Sequence, residues 1–351
     1  MATPAHETEL DDELDGLEAY ALRALGAPLA RRLTVPAGSD AERLDKALAR
    51  LLPDVSRSRI KQWIEGGSIR LNDRVPAART LVLAGDTIAV APPPAPEETS
   101  FRAEPIALDV VHADDSILVL DKPPGLVVHP AAGNWSGTLL NGLLAYDPDL
   151  RHLPRAGIVH RLDAGTSGLM VVARTAAAQL DLVRQLQARS VTREYWAIVH
   201  GAAAREGTVD GAIARDPRQP LRFKVSSAAN AKPARTHYRL VDTIEIGGQT
   251  LSWIVCRLDT GRTHQIRVHL ESIRLPLVGD PVYRRGCPSA PSAAGVPWTQ
   301  FGRQALHACR LEIVHPATGE PMRWFREPPA DMRALMISLG FQLRRGARAF
   351  K

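Results

Sequence analysis

The chain has 351 residues, 45% of them hydrophobic, which is enough to bury a sizeable core and long for one domain, so two or three domains are expected. Its formal net charge is +6, but residues 1–18 hold seven carboxylates and no Lys or Arg, leaving 44 basic against 31 acidic side chains, +13, on the remainder. Three widely spaced cysteines (Cys256, Cys287, Cys309) argue against a disulfide framework or a thiolate zinc site; the acidic N-terminus does not read as a secretory signal, and no apolar run reaches the ~20 residues of a membrane span.

A body that basic suits a polyanion such as nucleic acid, although an arginine-rich protein with no such partner has the same composition. Free thiols and the lack of a signal lead to an expectation of a cytoplasmic protein.

Residues 1–31 read as an acidic, flexible extension. Residues 32–91 read as a small α/β domain. Leu44, Leu48 and Leu51 fall at helical spacing ahead of Pro53. Ser56 is placed to cap a second helix over 57–65, closed by Gly66-Gly67, with Ile60, Trp63 and Ile64 as its apolar stripe. Arg57, Arg59 and Lys61 fall largely off that stripe and are free to face solvent or a ligand. A strand over 68–71, a turn at Asn72-Asp73 and a strand over 87–91 complete the unit. Residues 92–103 form a Pro-rich linker of polyproline type.

Residues 104–351 read as one large domain. Strand signals lie at 117–121, 169–173, 195–199, 251–258 and 310–315. A helix is predicted over 176–188, capped by Thr175, with Leu180, Val183 and Leu186 as its stripe. Another begins after Thr263 and buries Ile266, Leu270 and Ile273. Strands and helices do not alternate regularly, so the expectation is mixed, mostly antiparallel α+β rather than a doubly wound sheet. Residues 284–300, rich in Pro, Ser, Ala and Gly, read as a surface loop.

Several common site types are missing from the sequence: a phosphate loop, a dinucleotide Gly-x-Gly-x-x-Gly, His-Glu-x-x-His and a Gly-x-Ser-x-Gly elbow. His264 and His269 lie five apart, about 140° around a helix, a poor fit for one metal ion. What remains is a set of polar segments at strand ends. In the densest, 157–168, Asp163 sits in a Gly-rich loop abutting an apolar strand; read locally, Asp163-Ala-Gly-Thr166 is equally well a turn chosen for backbone reasons. In 258–267 a Gly turn leads into a capped helix whose N-terminus and Arg262 offer an anion site, while Arg267 on a polar position has the alternative of an ordinary surface ion pair. Arg193-Glu194-Tyr195 begins a strand, and Tyr195 is either a packed strand tyrosine or an aromatic placed at a site entry.

Taken together these segments resemble the RluA-type family of pseudouridine synthases, and within it the RluD branch. The carrying motifs are His160-Arg161-Leu162-Asp163 with Thr166 and Gly168, Arg193-Glu194-Tyr195, and Gly261-Arg-Thr-His-Gln-Ile-Arg267-Val-His-Leu270. Gly279-Asp280-Pro281-Val282-Tyr283, Leu306-His307-Ala308 and His315-Pro316-x-Thr-Gly319 add to them. Residues 40–90, with Ser56-Arg-Ser-Arg-Ile-Lys61, resemble an S4 RNA-binding domain.

The resemblance implies isomerisation of uridine to pseudouridine without a cofactor, on 23S rRNA or a large-subunit precursor, in the helix 69 stem-loop, by a monomer. It implies that Asp163 is the catalytic aspartate. Arg161 would enter the RNA stack where the uridine leaves it, and Tyr195 would stack on the flipped base and assist proton removal from C5. Arg267 would pair with Asp163, and Arg57, Arg59, Lys61 and Arg262 would contact RNA. Alternatives are a synthase for other 23S rRNA or tRNA uridines, a non-catalytic RNA-binding assembly factor and, more distantly, a hydrolase using Asp163 with a histidine. The chain departs from the family pattern at Ala164-Gly165, where relatives carry Lys-Asp, and at Glu327-Pro328-Pro329. Those departures bear on the choice of uridine more than on the reaction type.

Overall fold

A computed structural model describes residues 31–53, 55–91, 100–131, 133–219, 222–287 and 297–342. Almost all of the 1–31 extension, most of the 92–103 linker and the middle of the 284–300 loop lie outside the described residues. The described residues up to Ser100 form one compact unit, and those from Phe101 form another.

The first unit contains β1 (Arg31–Thr34), β2 (Glu42–Arg43), α1 (Leu44–Leu51), α2 (Arg57–Glu65), β3 (Ile69–Leu71), β4 (Leu81–Val82) and β5 (Thr87–Val90). The strands pair as β1-β5-β3 and β2-β4. In α1, Leu44, Ala47 and Leu48 are buried, and in α2 Ile60 and Ile64 join them. Ile88 and Val90 alternate inward from β5 to close this core. The Ser56 hydroxyl accepts the Arg59 N–H at 3.3 Å, satisfying one of the donors a helix start leaves unpaired. Arg57 and Lys61 stay exposed on the far face, with Lys61 3.7 Å from Glu65 one turn on.

The second unit begins with β6 (Val110–Ala113), β7 (Ile117–Lys122), α3 (Leu139–Tyr146), β8 (Ser167–Ala173), α4 (Ala176–Gln187), β9 (Thr192–His200) and β10 (Glu206–Asp210). A short hairpin follows, β11 (Ile213–Arg215) and β12 (Phe223–Val225). Then come β13 (Arg235–Ile246), β14 (Gln249–Leu258), α5 (Gln265–Ser272), β15 (Leu306–Val314), β16 (Pro321–Phe325) and α6 (Ala330–Leu339). Nine strands form one sheet in the order β10-β13-β14-β9-β15-β8-β7-β6, with β16 also on β15. Every pair is antiparallel except β8 with β15. This is the mixed, mostly antiparallel sheet that the irregular order of strand and helix signals leads one to expect.

Period-two alternation sends the central strands' side chains to two cores. Tyr195, Ala197 and Val199 of β9 pack with Leu139 and Leu143 of α3 and Ile266 and Leu270 of α5. Trp196 and Ile198 face the other way, against Trp253 and against Met332 and Met336 of α6. Leu162 belongs to the first core, so the loop before β8, the start of β9 and α5 share one face. Gly168 sits opposite Ala308 in the parallel pair with φ 117°, and a Cβ there would lie 2.6 Å from the Ala308 nitrogen. Only glycine allows the two strands to approach so closely.

Two helix faces differ from the sequence expectation. In α4 the buried residues are Ala178 and Leu182, with Val183 and Leu186 packed at the margin, while Leu180 is 53% exposed. The pair 178/182 is an i, i+4 row that meets Val119 and Val171 of the sheet, and Leu180 is about 200° from Ala178 around the helix. In α5, Ile266 and Leu270 are buried, but Ile273 follows the last turn and is 37% exposed.

Candidate active site

The loop preceding β8 alternates like a strand before it turns. His160 is buried, and its Nε2 accepts the Val171 N–H at 3.1 Å, which requires that nitrogen to be unprotonated. Leu162 points into the core, so Arg161 faces solvent and Asp163 lies half-buried at the edge of a cleft. The Thr166 N–H bonds to the Asp163 carbonyl at 2.9 Å, so the backbone of Asp163 does form a turn, leaving its carboxylate available for something else.

That turn is held from several sides. The Ala164 carbonyl accepts the Gly125 N–H at 2.7 Å and the Lys122 ammonium at 3.1 Å. Lys122 is 1% exposed and also donates to the carbonyls of Pro123 (2.8 Å) and Leu126 (2.9 Å). Burial pushes its pKa down to about 7, with the nearby Asp163 carboxylate pulling the other way. The Gly165 carbonyl accepts from Arg303 Nη1 at 2.9 Å, and Thr166 Oγ1 accepts from Gln304 Nε2 at 3.0 Å.

Helix α5 supplies the partner of Asp163. Arg267 Nη1 donates to Asp163 Oδ2 at 3.0 Å, while its Nε and Nη2 donate to the two oxygens of Asp280 at 2.7 and 2.9 Å. Asp280 Oδ1 also accepts the N–H groups of Val282 (2.8 Å) and Tyr283 (2.9 Å). The guanidinium lies 4.8 Å from the centre of the Tyr283 ring. At 5% exposure Arg267 is no surface ion pair. Burial opposes its charge, but the hydrogen bonds and charges of Asp280 and Asp163 outweigh burial and hold it protonated.

The start of α5 corrects one expectation. No side chain caps it; His264 occupies the cap position with left-handed backbone, φ 57°. Gln265 instead folds back, its Oε1 accepting the Arg262 N–H (3.0 Å) and the Thr260 hydroxyl (2.7 Å). The His264 ring places Nδ1 2.9 Å from the Tyr283 hydroxyl and Nε2 3.9 Å from Asp163 Oδ1.

Arg161, Asp163, Tyr195, Arg262 and Arg267 therefore line one cleft, with Arg193, His264 and Leu306. Tyr195 is 5% exposed on β9, between Ala308 and Cys256 of the neighbouring strands. Arg193 is 7% exposed, and its Nε is buried without a hydrogen-bond partner among the described residues. A buried guanidinium so arranged favours an anionic or carbonyl ligand. Arg262 Nε donates to the Pro233 carbonyl at 3.2 Å. Arg57, Arg59 and Lys61 belong to the other compact unit. His269 is a core histidine, bonded through Nδ1 to Thr236 Oγ1 and through Nε2 to the Gly211 carbonyl, both at 2.9 Å. Lys122, His264, Asp280 and Gln304 carry parts of the site that sequence reasoning assigned no role. The one local signal for Lys122 is a lysine closing an apolar strand before Pro123-Pro124-Gly125.

Residues 116–272 match the RNA pseudouridylate synthase family, and residues 42–88 match the S4 domain. The chain is 48% identical over 307 residues to the ribosomal large subunit pseudouridine synthase D of Nitrosomonas europaea, covering 88% of this chain and 87% of that protein. It is 45% identical over 308 residues to the protein of the same name from Escherichia coli strain K12, covering 86% and 92%. Among solved structures, human RNA pseudouridylate synthase domain containing 1 superposes with a TM-score of 0.50 at 25% identity, over 65% of this chain and 86% of that one.

Proposed function

Because the chain belongs to the RNA pseudouridylate synthase family, we propose that it converts uridine to pseudouridine in 23S rRNA, in the helix 69 stem-loop, with Asp163 as the reacting carboxylate. The observation that carries this reading is the ion-paired triad in the cleft: Asp163 bound to Arg267, which is itself locked by Asp280. The names of the relatives support the large-subunit substrate, and the S4 unit with exposed Arg57 and Lys61 supports RNA as the ligand. A cytoplasmic monomer is the form proposed to act; no helix among the described residues is long and apolar enough to cross a membrane.

The chemistry follows from these groups. The N1–C1′ bond of uridine breaks, the uracil turns, a C5–C1′ bond forms, the C5 proton leaves and N1 takes up a proton, so atoms balance with no donor or acceptor of electrons. Such a step calls for an ionised carboxylate at the sugar or base. Arg267 sets a guanidinium 3.0 Å from the Asp163 carboxylate in a site that excludes much of the solvent, which fixes the position of that carboxylate. A base buried in a stem-loop must first be flipped out, at a cost of a few kcal/mol. The exposed Arg161 beside Asp163 fills the vacated stack, and Tyr195 offers an aromatic face inside the cleft, worth about 1–3 kcal/mol per base. Arg193 and Arg262 receive phosphate or carbonyl oxygens.

Carbodiimide-based mapping of pseudouridine in cells with and without the gene tests the proposal. Helix 69 uridines are expected to lose modification without the gene and to remain unmodified with Asp163→Asn, which keeps RNA binding. Unchanged modification in that variant overturns the role of Asp163; loss of signal only at other rRNA or tRNA positions overturns the choice of helix 69.

A further inference from the structure

His264 has no part in the roles above, yet its surroundings are tightly constrained. It opens α5 in the left-handed region, a conformation that residues with a Cβ seldom adopt and that clusters where a site over-determines the backbone. Its ring stands edge-on to Tyr283 (5.5 Å, 81°) and to Phe223 (5.7 Å, 77°). The Tyr283 hydroxyl accepts the Phe223 N–H at 3.0 Å, and burial pushes its pKa up to about 12, so it keeps its proton. Among the described residues the acceptor for that proton is His264 Nδ1, 2.9 Å away. Burial holds the His264 imidazole neutral, with Asp163 opposing, and a neutral ring that accepts at Nδ1 carries its hydrogen on Nε2.

That Nε2–H stands 3.9 Å from Asp163 Oδ1, while Asp163 Oδ2 is already engaged by Arg267 at 3.0 Å. The 3.9 Å separation is too long for a direct hydrogen bond and short enough for one oxygen atom to bond to both. The pair is a donor beside an acceptor. A carbonyl oxygen satisfies the donor but sets its lone pairs against the carboxylate, and an N–H does the reverse. A hydroxyl satisfies both. Within an RNA chain the 3′ and 5′ oxygens of a uridine are tied up in phosphodiesters. The remaining hydroxyl is the 2′-OH, on the carbon next to the C1′ whose bond is exchanged.

We infer that His264 Nε2–H and Asp163 Oδ1 together hold the ribose 2′-hydroxyl of the target uridine, which makes His264 a specificity-determining residue for ribose over deoxyribose. The contact breaks no bond; it registers the sugar against Asp163 Oδ1. The inference rests on the reading of Asp163 as the reacting carboxylate, and it adds a group on the substrate and a residue that reads it.

The test is single-turnover conversion, by the full-length protein, of a synthetic RNA stem-loop holding a uridine that the wild-type enzyme modifies. Its twin carries 2′-deoxyuridine at that one position. The wild type is expected to convert the deoxy twin about tenfold more slowly or worse, the scale of one lost hydrogen bond in a desolvated site. His264→Ala should slow the ribose substrate and bring the ratio of the two rates to about twofold or less. His264→Gln, whose amide nitrogen takes the place of the imidazole Nε2, should recover part of the ratio. Should His264→Ala fail to fold, Tyr283→Phe keeps the ring and removes the proton that fixes the tautomer; it should narrow the ratio while RNA affinity stays unchanged. Equal rates on the two twins in the wild type overturn the inference, as does a ratio that neither His264→Ala nor Tyr283→Phe moves. Full activity of Asp163→Asn would instead overturn the reading of the site, so the two failures are distinct.

Discussion

One guanidinium lies between two carboxylates, and their unequal burial gives them different work. Asp280 has no exposed side-chain surface and takes two donors of Arg267 as well as two backbone N–H groups; Asp163 takes the one remaining bond and keeps 15% of its side chain open. Asp280 thus fixes the arginine, and the arginine fixes Asp163. Asp280→Asn keeps the shape but leaves Arg267 with Asp163 as its sole carboxylate partner. Removing one member of a buried pair costs about 3–5 kcal/mol, which urea unfolding would measure. The turnover rate should fall about 10–100-fold as the reacting carboxylate shifts, with RNA affinity nearly unchanged. Wild-type stability and turnover in this variant would show that Asp280 does not hold the site. Little of this was legible residue by residue. The Asp163–Arg267 contact joins positions 104 apart in sequence, and no periodicity reports on such a pairing. Locally Asp163 reads as a turn residue, and its backbone is one; the family resemblance, not the spacing, singles out its side chain. Sequence spacing sets His264 beside His269 as a poorly fitting metal pair and gives no sign of its real partner, because the tyrosine that fixes its ring lies 19 residues away in another motif.

At the scale of elements, what the sequence revealed depended on how local the signal was. Helix α2 carries its own cap, stripe and glycine stop within eleven residues, 56–66, and the structure has it at 57–65 as expected. Helix α3, Leu-Leu-Asn-Gly-Leu-Leu-Ala-Tyr, is apolar on nearly every side and gives no period to read; Leu139 through Leu144 are all buried. Strand β13 carries a weak signal for the opposite reason: its twelve residues alternate only partly, with charged and half-exposed positions throughout. The slipped stripe of α4 shows that the sheet, not the helix alone, selects which row of apolar residues is buried. The same division of faces makes α2 a clean place to test RNA contact. Its fold rests on Ile60 and Ile64, whereas Arg57 is exposed on the other side and Arg59 partly so. Arg57→Ala combined with Arg59→Ala should leave thermal unfolding of this unit unchanged and weaken RNA binding. The slope of log affinity against log salt should become shallower by about 1–2, as one or two phosphate contacts cease to release counterions. If affinity and slope both hold, α2 is not the RNA-facing element.

At the scale of the whole molecule, the same burial that shapes the site makes stability depend on pH. His129, His160, His200 and His307 are all pushed down by burial, to about 3, 3, 4 and 4 respectively. Each is neutral in the folded state at a pH where the unfolded chain, titrating near 6.5, takes up a proton. The unfolded state therefore binds more protons than the folded one between about pH 6.5 and 4, and stability falls as pH drops through that window. Asp121 acts in the opposite direction. Burial raises it to about 6, with Asp109 adding to the shift, so the folded state gains a proton below that pH while the unfolded one waits until near 3.8. Four histidines against one carboxylate leave a net loss of about 2–4 kcal/mol between pH 6 and 5. Five of the six tryptophans lie after residue 100, so tryptophan fluorescence during urea unfolding reports chiefly on the catalytic unit. The midpoint should drop steeply from pH 6 to 5 on the histidines' account. His307→Gln should flatten the acid limb, because an amide can still accept from the Ser167 hydroxyl or donate to the Arg326 carbonyl without titrating. A midpoint that stays level from pH 7 to 5 in the wild type would mean that these histidines are as free to protonate when folded as when unfolded, contrary to their burial in the structure.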